Sequence, residues 1–217
     1  MLFETFEQDG IHGALHRPRE PRGEGLALTH GAGSDHRAPL LAAVAEAFQA
    51  AGFLVLRFDL PFRRERPKGP PHPAGAARDR AGVVEAVSRL RALGCGRVFA
   101  GGHSYGGRQT AMAAAETPDL AESLLLLSYP LHPPARPEQL RTAFFPRLRT
   151  PALFVHGAAD PFATVEELRE ALRLIPAHTE VLDIPSAGHD LKAIVRQPDT
   201  VIDAFRAFCG NRRASGV

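Results

Sequence analysis

Gly102-His103-Ser104-Tyr105-Gly106 follows the apolar run Val98-Phe99-Ala100 and precedes a helix-like stretch over residues 108–116. This strand-turn-helix setting is the one in which a G-x-S-x-G pentapeptide carries chemistry. A serine at an abrupt strand-to-helix turn is held in a strained backbone that only small neighbours permit, and its hydroxyl is pushed out of the sheet. The glycines two before and two after Ser104 meet that demand. The helix that follows directs its unpaired N-terminal amides and positive dipole end at the same spot. Ser104 therefore reads as a nucleophile; the alternative is a glycine cluster with an incidental serine.

A serine hydroxyl needs an adjacent base, itself oriented by an acid. Ala152-Leu153-Phe154-Val155-His156 has the pattern of a short buried strand and runs into Gly157-Ala158-Ala159-Asp160-Pro161, a turn that ends on a carboxylate. Asp160 is the candidate acid. A strand-like segment over 180–184 leads into Pro185-Ser186-Ala187-Gly188-His189-Asp190, which places His189, the candidate base, on a loop before the last helix. Asp183 and Asp190 are the rival acids, although Asp190 is the sequence neighbour of His189 and points elsewhere in most turns. Chain order Ser, Asp, His sets this constellation apart from the other serine-nucleophile folds.

Two backbone donors are also required where an oxyanion would develop. Tyr105 supplies one amide. The other comes from His30-Gly31-Ala32-Gly33-Ser34, a glycine-rich turn after the strand Leu26-Ala27-Leu28-Thr29: the Ala32 amide, with that of Gly33 as the alternative. A dinucleotide turn is not supported, because His36 stands where a third glycine would be needed.

Taken together, the His30-Gly31 loop, the GHSYGG turn, His156-Gly157-x-x-Asp160 and Gly188-His189 resemble an α/β-hydrolase over nearly the whole chain. Within that superfamily, Thr29-His30-Gly31-Ala32-Gly33, Arg57-Phe58-Asp59-Leu60-Pro61-Phe62 and Gly106-Gly107-Arg108 are similar to the dienelactone-hydrolase-like group related to testis-expressed protein 30 and to subunit 3 of a chromatin acetyltransferase complex. The resemblance implies a triad of Ser104, Asp160 and His189. Dienelactone hydrolases proper carry a cysteine nucleophile where this chain has Ser104. The activity so implied is a serine hydrolase, carboxylesterase-like, cleaving a small ester or related acyl bond through an acyl-enzyme. A thioesterase or peptidase is the alternative within the same chemistry, and a vestigial hydrolase fold acting as an interaction module is the alternative outside it.

The chain of 217 residues suits one domain over 1–217. A formal net charge of +2 implies neither nucleic acid nor a membrane as partner. A small-molecule acyl substrate is expected, and a homo-oligomer is admitted. Cys95 and Cys209 are isolated and read as free thiols, and no His, Cys or carboxylate set has metal-ligand spacing, so neither metal nor organic cofactor is expected. Residues 1–10 contain no long apolar run, from which a cytoplasmic location is expected.

Segments 3–6 and 11–16 alternate about Gln8-Asp9-Gly10, a hairpin signal. Strand patterns at Leu26, 53–58, Val98, 123–128, Ala152 and Glu180 then alternate with helix patterns at 39–51, 76–93, 108–116, 165–174 and 199–208. Such alternation predicts an α/β fold, a mainly parallel sheet with helices on both faces after an antiparallel start. Two stretches fit neither pattern. Segment 60–73, with Arg63, Arg64, Arg66 and Lys68, reads as a solvated loop or an electropositive rim for anions. Segment 129–149 is too short for a full cap domain; Tyr129, Leu131, Phe144 and Phe145 within it either wall the site or pack on the core. His103 is expected to pack beneath the serine turn and His30 and His156 to serve structural hydrogen bonds, with His30 in position to brace the oxyanion loop.

Overall fold

The computed structural model describes residues 3–214. Eight strands form one sheet: β1 (Glu4–Gln8), β2 (Ile11–His16), β3 (Glu24–Thr29), β4 (Phe53–Phe58), β5 (Arg97–His103), β6 (Leu124–Leu127), β7 (Ala152–Gly157) and β8 (Thr179–Ile184). Their spatial order is β1-β2-β4-β3-β5-β6-β7-β8. β1 pairs antiparallel with β2 and β2 with β4, and every later pairing is parallel. The hairpin turns on Asp9 and Gly10, both at positive φ (48° and 79°), the backbone that a two-residue Asp-Gly turn requires.

The helices are α1 (Pro39–Ala50), α2 (Pro61–Glu65), α3 (Ala76–Ala92), α4 (Tyr105–Glu116), α5 (Val165–Leu172), α6 (Lys192–Arg196) and α7 (Asp199–Ala214). Because successive strand residues face opposite ways, each central strand feeds two cores. Leu26, Leu28, Val55, Leu125, Leu127, Leu153 and Val155 pack with α1 and α7 through Val44, Phe48, Phe205 and Phe208. Ala27, Leu54, Leu56, Leu124, Leu126 and Phe154 pack on the other face with Val83, Val87 and Leu90 of α3, Ala111 of α4 and Leu168 of α5. Among the described residues no helix is long and apolar enough to cross a membrane.

Two stretches depart from the sequence pattern in an instructive way. Segment 60–73 is not a plain loop: α2 forms within it, started by Pro61 at the first helical position, where a missing N–H costs nothing. Segment 129–149 contains a single 3-10 turn, Phe145–Arg147, and so builds no cap. Its aromatics turn inward. Tyr129, Leu131 and Phe145 are fully buried, Tyr129 packs tilted against Phe145 and edge-on to Phe154, and its hydroxyl donates to Arg141 O at 2.7 Å. Of the two readings of these residues, core packing is the one realised.

Candidate active site

β5, β7 and β8 end at the same edge of the sheet, and the loops beyond them bring Ser104, Asp160 and His189 together. Ser104 sits between β5 and α4 with φ 51° and ψ −115°, a conformation that costs a non-glycine residue about 1–3 kcal/mol and persists only where its surroundings over-determine it. Those surroundings are close backbone approaches. A Cβ on Gly106 would lie 2.4 Å from His30 O, and one on Gly102 would lie 2.8 Å from Gly106 C. The glycines are thus required because α4 crosses directly against the ends of β3 and β5. Ser104 N donates to Leu127 O at 2.8 Å, and the first i→i−4 bond of α4 runs from Arg108 N to Ser104 O. The amides of Tyr105, Gly106 and Gly107 therefore precede the helix's own pairing.

His189 Nε2 lies 2.8 Å from Ser104 Oγ, and His189 Nδ1 lies 3.0 and 2.8 Å from Asp160 Oδ1 and Oδ2. The Asp160 side chain is fully buried, and its Oδ1 also accepts from Phe162 N at 2.9 Å. Holding that acid loop against the histidine loop are Ala158 N to Ile184 O and Ala159 N to Ala187 O (3.1 and 2.9 Å). Gly157 permits the approach, since a Cβ there would lie 2.3 Å from Ala187 O. The rival acids are elsewhere: Asp183 is exposed on β8, and Asp190 is exposed and paired with Lys192 at 3.0 Å.

The His30-to-Ser34 loop lies against this group. A Cβ on Gly31 would be 3.0 Å from His103 Nδ1 and 3.5 Å from Ser104 Cβ. Ser34 N closes a turn onto Gly31 O at 3.2 Å, which leaves the amides of Ala32 and Gly33 outside the turn's own bond. His30 braces the loop as a neutral ring: its Nδ1–H donates to Gly31 O at 2.8 Å while its Nε2 accepts from Leu60 N at 3.1 Å. Burial lowers its pKa accordingly.

Three contributors escape a reading of the sequence. Arg63 is buried, and its guanidinium donates to the carbonyls of Ala32 (2.6 Å), Ser34 (2.9 Å), Arg66 (3.0 Å) and Gly69 (3.2 Å). It braces the loop that carries Ala32. Asp79, fully buried on α3, accepts from Tyr105 Oη at 2.7 Å and from Phe62 N at 3.0 Å, joining α2, α3 and α4 behind the Ser104 turn. Phe162 packs against His189 with ring centroids 4.2 Å apart and the rings tilted by 33°. An arginine among prolines, an acid in a helix and a phenylalanine after Asp-Pro leave no mark in sequence. Arg63→Ala should leave the chain folded yet lower kcat/KM for an ester by about 100-fold, the scale of a 1 Å misplacement at a reacting centre; steady-state kinetics beside exposed Arg66→Ala as control checks it.

His103 and His156 make structural hydrogen bonds. His103 Nε2–H donates to the His189 carbonyl at 2.8 Å, tying the backbone of His189 to the serine turn, and His156 Nε2–H donates to Ala163 O at 2.9 Å. Burial lowers His103 to about 4, and burial together with the Arg57 charge lowers buried His16 to about 4, from an ordinary 6.5. Between those values the unfolded chain binds two protons that the folded chain refuses, so stability rises with pH across this window. Urea unfolding should accordingly give its largest free energy above pH 6.5 and lose stability steadily towards pH 4, and His16→Gln should flatten the slope.

A Salmonella typhimurium protein with a provisional carboxymethylenebutenolidase name is 32% identical to this chain over 108 residues, 46% of this chain and 38% of its own length. The alignment with that relative thus spans less than half of either chain. Among solved structures, Est1E from Butyrivibrio proteoclasticus superposes with a TM-score of 0.74 at 17% identity, covering 96% of this chain and 99% of its own. A dienelactone hydrolase from Anabaena variabilis gives 0.70 at 22% identity, covering 94% and 99%. At these identities the likeness is one of fold. The sequence profile of the alpha/beta hydrolase domain matches residues 23–212, from the first parallel strand through the last helix and across every loop just described, and the chain belongs to that family.

Proposed function

We propose that this protein is a serine hydrolase that cleaves a small ester or related acyl bond through an acyl-enzyme on Ser104. The observation that carries the reading is the imidazole of His189 standing in hydrogen-bond reach of both Ser104 Oγ, at 2.8 Å, and the buried carboxylate of Asp160, also at 2.8 Å. In this mechanism His189 Nε2 takes the hydroxyl proton as Oγ attacks the acyl carbonyl, then returns it to the departing alcohol. Asp160 keeps the Nδ1–H tautomer and stabilises the imidazolium. The amides of Tyr105 and Ala32 bind the oxyanion, and water, deprotonated by the same ring, releases the acid. The partial likeness to a provisionally named carboxymethylenebutenolidase supports an ester or lactone carbonyl as the reacting group.

The test is covalent. A fluorophosphonate probe should label the folded wild-type chain at Ser104, and a series of p-nitrophenyl esters of increasing acyl length should be turned over. A folded protein that neither takes the probe nor hydrolyses any ester in the series sinks the reading.

A further inference from the structure

Linear spacing offers no metal-ligand pattern, and the sequence alone leads to an expectation of no metal. The fold nevertheless assembles three ligand-type side chains from distant segments: His12 on β2, His36 in the loop before α1, and Asp59 just after β4. His12 Nδ1 and His36 Nδ1 lie 2.8 and 2.9 Å from the same oxygen, Asp59 Oδ2, and the three donor atoms all fall within 4.8 Å of one another. His12 and Asp59 open onto a cavity of about 340 Å³ that Glu7, Asp35, Arg37, Arg63 and Arg64 also line. We propose that His12, His36 and Asp59 form a binding site for one divalent ion of the zinc class, with water from that cavity completing the coordination.

The donor set fits the ion. Two imidazoles and one carboxylate with an open fourth position make a recurrent zinc environment, and imidazole nitrogen favours zinc, copper or nickel over magnesium or calcium. The arrangement around it is that of an oriented ligand. Asp59 Oδ1 is held by His36 N–H at 2.7 Å, which turns Oδ2 towards the two rings, and those hydrogen bonds keep the carboxyl well below the usual carboxylate range despite its burial. His30, 3.6 Å from Asp59 Oδ1, is not a competitor, because both its nitrogens are already engaged with backbone. The neighbouring arginines are engaged too: Arg37 with Asp35, Arg57 with His36 O and His16 Nε2, Arg63 with four carbonyls and Arg64 with Gly10 O.

Binding would exchange two N–H···O bonds for two nitrogen–metal bonds and one oxygen–metal bond. Each neutral ring keeps its proton by moving it from Nδ1 to Nε2, and a ring that enters protonated releases one proton. Donors at about 2.0–2.1 Å from a tetrahedral ion are spaced slightly wider than the 2.8 Å seen between His12 and Asp59, and His12, whose side chain is 38% exposed, has room to move by that amount. Metal would pin the N-terminal hairpin to the loop that continues from Ala32 to α1.

The experiment is titration calorimetry of zinc chloride into the tag-free, chelator-stripped full chain at neutral pH, alongside thermal melts with and without zinc. One ion per chain is expected to bind at micromolar or lower concentration and to raise Tm. His12→Ala and Asp59→Asn should each weaken binding at least about tenfold, while His178→Ala and His189→Ala should bind as the wild type does. His12→Gln, which keeps a polar side chain at the partly exposed strand position, replaces His12→Ala if the latter does not fold. Absence of saturable binding by the wild type overturns the site, as does binding that survives loss of His12 or disappears with His189. Fluorophosphonate labelling of Ser104 does not depend on the result, so failure here and failure of the hydrolase reading are separately visible.

Discussion

Ser104→Ala is expected to abolish fluorophosphonate labelling and to lower kcat for p-nitrophenyl esters by about four to six orders of magnitude, the range that removal of a serine nucleophile produces. The reason lies in the geometry of the turn. Ser104 is held at φ 51° and ψ −115° between β5 and α4, and its Oγ stands 2.8 Å from His189 Nε2. Alanine fits the same space and loses only the reacting oxygen, so the variant should melt at close to the wild-type temperature. Residual turnover would then measure what the oxyanion amides and substrate binding contribute without covalent catalysis. Turnover within tenfold of wild type in a properly folded variant would remove Ser104 from the mechanism.

Asp160→Asn should cost about 10⁴-fold in kcat with little change in KM. The carboxylate is fully enclosed and accepts from both His189 Nδ1 and Phe162 N. An amide is nearly isosteric, but it can present N–H to the ring, which reverses the tautomer and leaves a proton on Nε2, where a lone pair is needed to accept from Ser104. Asp190→Asn is the matched control, since that side chain is exposed and pairs with Lys192; its kcat should stay within about twofold of wild type, in line with the small worth of exposed ion pairs. Equal effects of the two substitutions would show that the buried carboxylate plays no special part.

Much of the fold is legible in residue order because its signals are local. Continuous apolar strands such as Leu26-Ala27-Leu28 and Leu153-Phe154-Val155 have both faces covered in the structure, and the Asp9-Gly10 turn forms the hairpin that its residue types favour. Where reading fails, the deciding force is remote. The aromatic residues of 129–149 show no periodicity that distinguishes a site wall from a core; the choice is made by the space between α4 and Phe154, which Tyr129 and Phe145 fill. The charged string 63–68 looks uniform, yet Arg63 alone is drawn inward, because the carbonyls of Ala32 and Ser34 pass within its reach.

By itself, the order of residues determined the parallel sheet and the strained serine turn and pointed to the strand-end loops that carry Ser104, Asp160 and His189, since each of these follows from short-range steric and hydrophobic patterning. Only the tertiary structure decided which buried polar groups face one another: Arg63 on the Ala32 loop, Asp79 on Tyr105, Phe162 on His189, and His12 and His36 on Asp59. The physical reason is that a hydrogen bond between residues dozens of positions apart depends on how the strands carrying them are ordered in the sheet, a quantity that no window of neighbouring residues contains.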